Sequence, residues 1–190
     1  PMQMTLHIGF PAGECRFVLD ALSSFFIFIF SLVFGLVSVY STGYLSFYLN
    51  GKKERLHFLC LSGLPVSMML AIASANALIF LIFWEIMTLS SFFLASFENE
   101  KREVCEASLY YLVAMHVGAL FLITAFAYLT AAASSYDFNA LKNFLFQHPG
   151  TAQILFFMVF IGFGTKAGFF PFHSWLPKAH QAAPSHVSAL

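Results

Sequence analysis

Uninterrupted apolar runs, each about as long as a bilayer core is thick, constrain this chain more than any other feature. A helix needs roughly 20 mostly apolar residues to cross the hydrocarbon layer. Stretches of that order recur along the 190 residues, separated by short charged clusters. Backbone N–H and C=O groups find no water in a bilayer, so only helices and closed barrels span it. A barrel would show segments of roughly 10 residues with alternating polarity, and these runs do not alternate. The expected fold class is therefore all-α: a polytopic transmembrane helical bundle with about five spans and the start of a sixth. Only 9% of the residues are charged, against roughly 25% in ordinary soluble domains, which sets a water-soluble domain aside.

The first span is expected from about Ala21 to Tyr40, with Leu49 as its furthest limit and Asp20 as its N-cap. Past the polar run from Asn50 to Arg55, a second span covers roughly His57 to Ala73 and a third roughly Ala77 to Phe97. Only Ser74-Ala75-Asn76 separates these two, which predicts a tight hairpin. The charged run from Glu98 to Glu103 precedes a fourth span from about Ala107 to Leu129, and the more polar stretch from Ser134 to Gly150 leads to a fifth beginning near Thr151. Gly162, Gly164, Gly168 and Pro171 crowd the second half of that fifth span. Helix breakers survive in membranes where the freed backbone groups find other partners, so a discontinuous helix is expected near Lys166 to Pro177. Val187 to Leu190 reads as the opening of another helix. The chain starts at Pro1 without a basic, apolar and small-residue leader, and residues 1–190 read as a single transmembrane fragment of a larger subunit.

Net charge is +0, so no basic field points to nucleic acid; the solvent partner implied is membrane lipid. Lys52, Lys53 and Arg55, then Lys101 and Arg102, then Lys178 all fall on one side if the spans alternate, and that side should be cytoplasmic. Cys15, Cys60 and Cys105 lie far apart without CxxC spacing, which argues against an iron–sulfur or zinc site.

Ionisable groups inside the apolar runs carry the functional reading, because each costs several kcal/mol at mid-depth and persists where it lines a polar path or meets a partner. Glu85 sits about eight residues into the third span, roughly 12 Å by helix rise, and Lys166 about fifteen residues into the fifth, roughly 22 Å from the same face. His116 sits about nine residues into the fourth span from the opposite face. A carboxylate and an ammonium that approach each other couple their proton affinities, which is the logic of a relay; the plainer alternative is a static buried ion pair locking two helices. His116 either passes protons or hydrogen-bonds a neighbouring helix. His173, His180 and His186 lie among prolines with no companion acid or thiolate cluster, so hydrogen bonding at a broken helix is expected there and not a metal site. No catalytic residue, metal or cofactor is expected.

The segment KAGFFPFHSWLPKAHQAAPSHVSAL, from Lys166 to Leu190, resembles the broken-helix segment of the antiporter-like subunits of complex I, Mrp antiporters and membrane-bound hydrogenases. Trp84-Glu85 resembles the same family's Trp-Glu pair, and the stretch from Phe17 to Leu22 resembles the opening of its third transmembrane helix. This resemblance covers nearly all the chain. It implies that Glu85 and Lys166 are the paired residues of a first half-channel, and that Pro171, His173, Trp175 and Pro177 belong to the helix break. WLPKAH followed by APSHVSAL looks more like the hydrogenase-4 and formate hydrogenlyase branch than like complex I. The resemblance thus implies a proton-translocating membrane subunit of a hydrogenase or complex I-like oxidoreductase complex, with other membrane and peripheral subunits as partners and protons as cargo. The same resemblance implies that the chain carries no redox centre itself and lies in a bacterial or archaeal cell membrane. An Mrp-type cation/proton antiporter subunit and a structural anchor for a peripheral oxidoreductase are the alternatives.

Overall fold

The structure, a computed structural model, describes residues 2–7, 14–45 and 52–189. Two strands, β1 (Met2–His7) and β2 (Glu14–Leu19), pair antiparallel from Met2↔Leu19 to His7↔Glu14. Helices α1 (Ala21–Leu45), α2 (Lys52–Ala73), α3 (Ala77–Ala95) and α4 (Arg102–Ala133) follow. The chain continues through α5 (Phe138–Gln147), α6 (Pro149–Ala167), a 3₁₀ turn over Phe172–Trp175, α7 (Leu176–Ala182) and α8 (Ser185–Ser188). Five helical segments among the described residues are long and apolar enough to cross a membrane, the last being Pro149–Ala182 with its break. The all-helical bundle expected from the runs is what forms.

Three details depart from the span-by-span reading. The hairpin of β1 and β2 precedes the bundle where no strand was expected. The polar stretch after α4 contains a short helix, α5, capped by Asp137, whose Oδ1 accepts from Asn139 N at 2.8 Å. Helices α2 and α4 start earlier than the expected spans, because hydropathy marks where a helix meets lipid and not where its hydrogen bonding begins. The first span's extension to Leu49 and the polar residues Asn50 and Gly51 lie outside the described residues.

Asp20 does cap α1, its Oδ1 accepting from Ser23 N at 2.7 Å. Inward-facing Phe34 and Val37 of α1 meet Cys60, Leu61 and Leu64 of α2, while Leu22, Phe25, Phe28, Leu32 and Leu36 face outward. Apolar residues on an outer face are the expected arrangement in lipid.

Helices α4 and α6 approach closely because both are glycine at the crossing. A Cβ on Gly162 would sit 2.5 Å from Leu122 Cγ, and one on Gly118 would sit 2.9 Å from Thr165 Cβ. Small residues admit such backbone approach where lipid supplies no hydrophobic drive between helices.

At one end of the bundle the connections are stitched by backbone bonds. Ala75 N donates to the Arg16 carbonyl at 2.8 Å, Ala77 N to the Tyr136 carbonyl at 2.9 Å, and Phe138 N to the Ala75 carbonyl at 3.0 Å. Asn76 caps α3, its Oδ1 accepting from Leu78 N at 3.0 Å and Ile79 N at 3.2 Å. Arg16 adds an ion pair to Asp137 at 3.5 Å. The opposite end carries the basic clusters: Arg102 bonds Glu106 at 2.7 Å, Lys101 pairs with Glu98, and the Lys178 ammonium lies 4.7 Å over the Tyr110 ring.

Candidate functional site

The break after α6 is built by Gly168, at φ +70°, in the left-handed region that glycine adopts without a Cβ clash. Phe169 N donates to the Gly164 carbonyl at 2.9 Å and Gly168 N to the Thr165 carbonyl at 3.3 Å, a Schellman closure of the helix. The Thr165 carbonyl also accepts from the Trp175 indole Nε1 at 2.8 Å. This bond reaches back across the break from the 3₁₀ turn, and it answers how freed backbone groups are satisfied at this depth. Pro177 sits in the first turn of α7, where its missing N–H costs nothing. Pro171 opens the 3₁₀ turn, and His173 points outward with its ring 5.7 Å from that of Phe170.

Lys166 stands in the last turn of α6, one residue from that braced carbonyl. Its ammonium donates to Thr88 Oγ1 on α3 at 2.8 Å and lies 4.7 Å from the centroid of the Trp84 ring. Thr88 Oγ1 donates in turn to the Trp84 carbonyl at 3.0 Å. The hydroxyl proton is thereby committed to the carbonyl, and the oxygen lone pairs are left for the ammonium. Trp84 is held by Phe163 at 5.2 Å and Phe80 at 5.5 Å. A cation over a desolvated indole face gains about 2 kcal/mol.

Glu85, next to Trp84, faces α4. Its Oε2 lies 3.7 Å from His116 Nε2, and its Oε1 is buried without a hydrogen-bond partner. His116 Nδ1 meets the Leu112 carbonyl at 2.9 Å. A carbonyl only accepts, which puts a proton on Nδ1 and leaves Nε2, in the neutral ring, a lone pair facing the carboxyl group. Carboxylate and lone pair repel, so the contact is attractive only when Glu85 and His116 share one added proton.

The three residues singled out in the apolar runs are thus gathered around one stretch of α3. A direct Glu85–Lys166 ion pair, considered from the sequence, is not formed among the described residues; Thr88 takes the ammonium and His116 takes the carboxyl. Below Lys166, toward the basic end, lies a cavity of about 370 Å³ lined by Ser91, Tyr111, Lys166, Trp175, His180 and Ser188 among others. Tyr111 is hydrogen-bonded to Ser91, and His180 Nδ1 to Ser188 Oγ at 2.8 Å. Neither Thr88 nor Tyr111 carried a sequence signal, because hydroxyls are common in these runs and routinely bond their own helix.

Comparison with known proteins follows the same lines. A family model described as NADH:quinone oxidoreductase/Mrp antiporter, TM, matches residues 74–190. Hydrogenase-4 component B of Escherichia coli (strain K12) is 37% identical over 181 residues, covering 95% of this chain and 26% of that protein. The Na(+)/H(+) antiporter subunit A1 of Staphylococcus haemolyticus is 35% identical over 187 residues, covering 96% of this chain and 22% of that protein. Among solved structures, the Mrp complex from Dietzia sp. DQ12-45-1b superposes with a TM-score of 0.86 at 24% identity, over 98% of this chain and 20% of that one. The chain therefore spans about a quarter of the length of these relatives.

Proposed function

This chain belongs to the NADH:quinone oxidoreductase/Mrp antiporter transmembrane family, and on that premise we propose that it is part of a proton-translocating membrane subunit of a hydrogenase or complex I-like oxidoreductase complex. The chain is an integral membrane protein; a bacterial or archaeal cell membrane, with the basic end cytoplasmic, is part of the proposal. Residues 1–190 are taken as one transmembrane portion of a larger subunit, a reading supported by the quarter of its relatives that it spans.

One observation carries the reading: an ammonium held by a hydroxyl and an indole, one helical turn along α3 from a carboxyl group that lies 3.7 Å from an imidazole. Thr88 and Trp84 hold the Lys166 cation without neutralising it, so the nitrogen can lose its proton without breaking an ion pair. Glu85 and His116 supply a charge that changes when a proton arrives. Two unit charges several ångströms apart interact by roughly 3 kcal/mol at an effective dielectric near 20, on the order of a hundredfold in a proton equilibrium. Protonation at Glu85 and His116 thereby sets when Lys166 releases its proton, and the Lys166 cavity gives that proton somewhere to go. No redox centre is required of this chain.

Replacing Lys166 with Ala in the full-length subunit, within its complete complex in inverted vesicles, should abolish proton translocation while electron transfer continues. Undiminished translocation overturns the proposal. A second reading, an Mrp-type cation/proton antiporter subunit, is favoured by the likeness to Na(+)/H(+) antiporter subunit A1. Sodium-dependent proton exchange by the purified assembly, in the absence of any electron donor, would select it. A structural anchor requires the Glu85, Lys166 double apolar variant to keep every transport activity.

A further inference from the structure

Outside the Lys166 site, two buried histidines among the described residues meet and are unused. His57, in the second turn of α2, and His186, in α8, meet Nε2 to Nε2 at 2.8 Å, and each is only 2% exposed. They come from positions 129 residues apart. Two imidazole nitrogens at that distance share one proton: one ring donates and the other accepts, since two lone pairs or two N–H groups would repel.

The surroundings suit passage more than anchoring. His57 lines a cavity of about 320 Å³ near the basic end, together with Asn99, Cys105 and Ser108. Its Nδ1 is buried and has no hydrogen-bond partner. On the other side of the pair, Val187 and Ser188, which follow His186, line the cavity that holds Lys166. Aromatic rings close the flanks, Phe97 at 4.6 Å from His57 and Tyr40 at 6.5 Å from His186. Along the chain, Lys52, Lys53, Glu54 and Arg55 precede His57, and the basic-end cavity of about 530 Å³ is lined by Ser185, Glu98, Lys101, Glu103, Glu106 and Lys178. His57 thus borders a cavity at the basic end, and His186 is followed directly by two residues that border the cavity of the proposed proton carrier.

We propose that His57 and His186 form a proton relay that feeds the Lys166 cavity from the basic end. A proton reaching His57 Nδ1 makes that ring cationic, and its Nε2 proton then crosses to His186 Nε2. His186, now cationic, releases its Nδ1 proton on the Lys166 side. One proton enters and one leaves, and both rings finish in the opposite tautomer, which reorientation of the rings resets. This inference rests on the proton-translocating reading above.

The test uses the full-length subunit in its complete complex, in inverted vesicles, with His57→Gln and His186→Gln. A glutamine amide keeps one hydrogen bond to the remaining imidazole but cannot pass a proton through itself. Translocation should fall on the order of tenfold or more, in the range that positioned proton transfer contributes, with the complex assembled and electron transfer retained. Added imidazole should restore translocation to His57→Ala, an effect that a packing role would not produce. Wild-type translocation in either glutamine variant overturns the relay, as does failure of both variants to assemble, which would make the pair structural. Lys166→Ala run in parallel separates the two claims: wild-type translocation there removes the proton-carrying reading itself, whereas a dead Lys166→Ala beside a fully active His57→Gln removes only the relay.

Discussion

The two ends of the bundle are held in different ways. At the end formed by the hairpin of β1 and β2, the α2–α3 turn and the α4–α5 connection, strands and turns are tied by backbone hydrogen bonds, with Asn76 and Asp137 capping the helices that start there. At the basic end, side chains do the holding, and one cavity lined largely by charged and polar residues opens between the start of α4 and α7 while the Lys166 cavity lies beside it. Backbone ties are short and set by chain geometry, whereas side-chain contacts can be remade at low cost. One end is therefore suited to staying fixed and the other to rearranging, which is the asymmetry that the proposed proton-translocating function requires. It also means that damage at the two ends should read out differently.

The largest effect is expected where both halves meet. Gly162→Leu forces a side chain into Leu122, already 2.5 Å from an added Cβ, and overpacking of this kind typically costs 1–3 kcal/mol or more; both the thermal stability of the detergent-solubilised subunit and translocation should fall. Thr88→Val keeps the shape but removes the acceptor for Lys166, at about 1–3 kcal/mol for the stranded ammonium. Vesicle assays should show translocation reduced together with the melting midpoint; a lowered midpoint with translocation intact would break the contrast between the ends. Asn76→Ala removes the cap of α3, worth about 1 kcal/mol, and should lower the melting midpoint while leaving the transport rate intact. Smallest is Arg16→Ala. Its ion pair with Asp137 is about a third exposed on each side, so solvent screening leaves roughly 0–1 kcal/mol and no change in translocation.

Much of this architecture was legible in the sequence because the bilayer leaves few options. Apolar runs gave the spans, and Gly168 with Pro171 and Pro177 marked the break. Glu85 and Lys166 stood out because a charge in such a run needs a reason. The partners they find were not legible. Lys166 bonds Thr88, 78 residues away, and His57 bonds His186 across a still longer separation; no local pattern encodes either meeting. The strands of the hairpin carry no signal because they precede the first apolar run and are of mixed polarity, and α5 because its ten residues are too few for a span.

The brace from Trp175 to the Thr165 carbonyl changes what a broken helix means here. An interruption with loose ends would swivel, leaving each half free to tilt alone. With the indole clipped one residue before Lys166 and the glycine turn closed behind it, the two halves form a bent crank. Pushing α7 at the basic end must either carry Lys166 along or snap that one hydrogen bond.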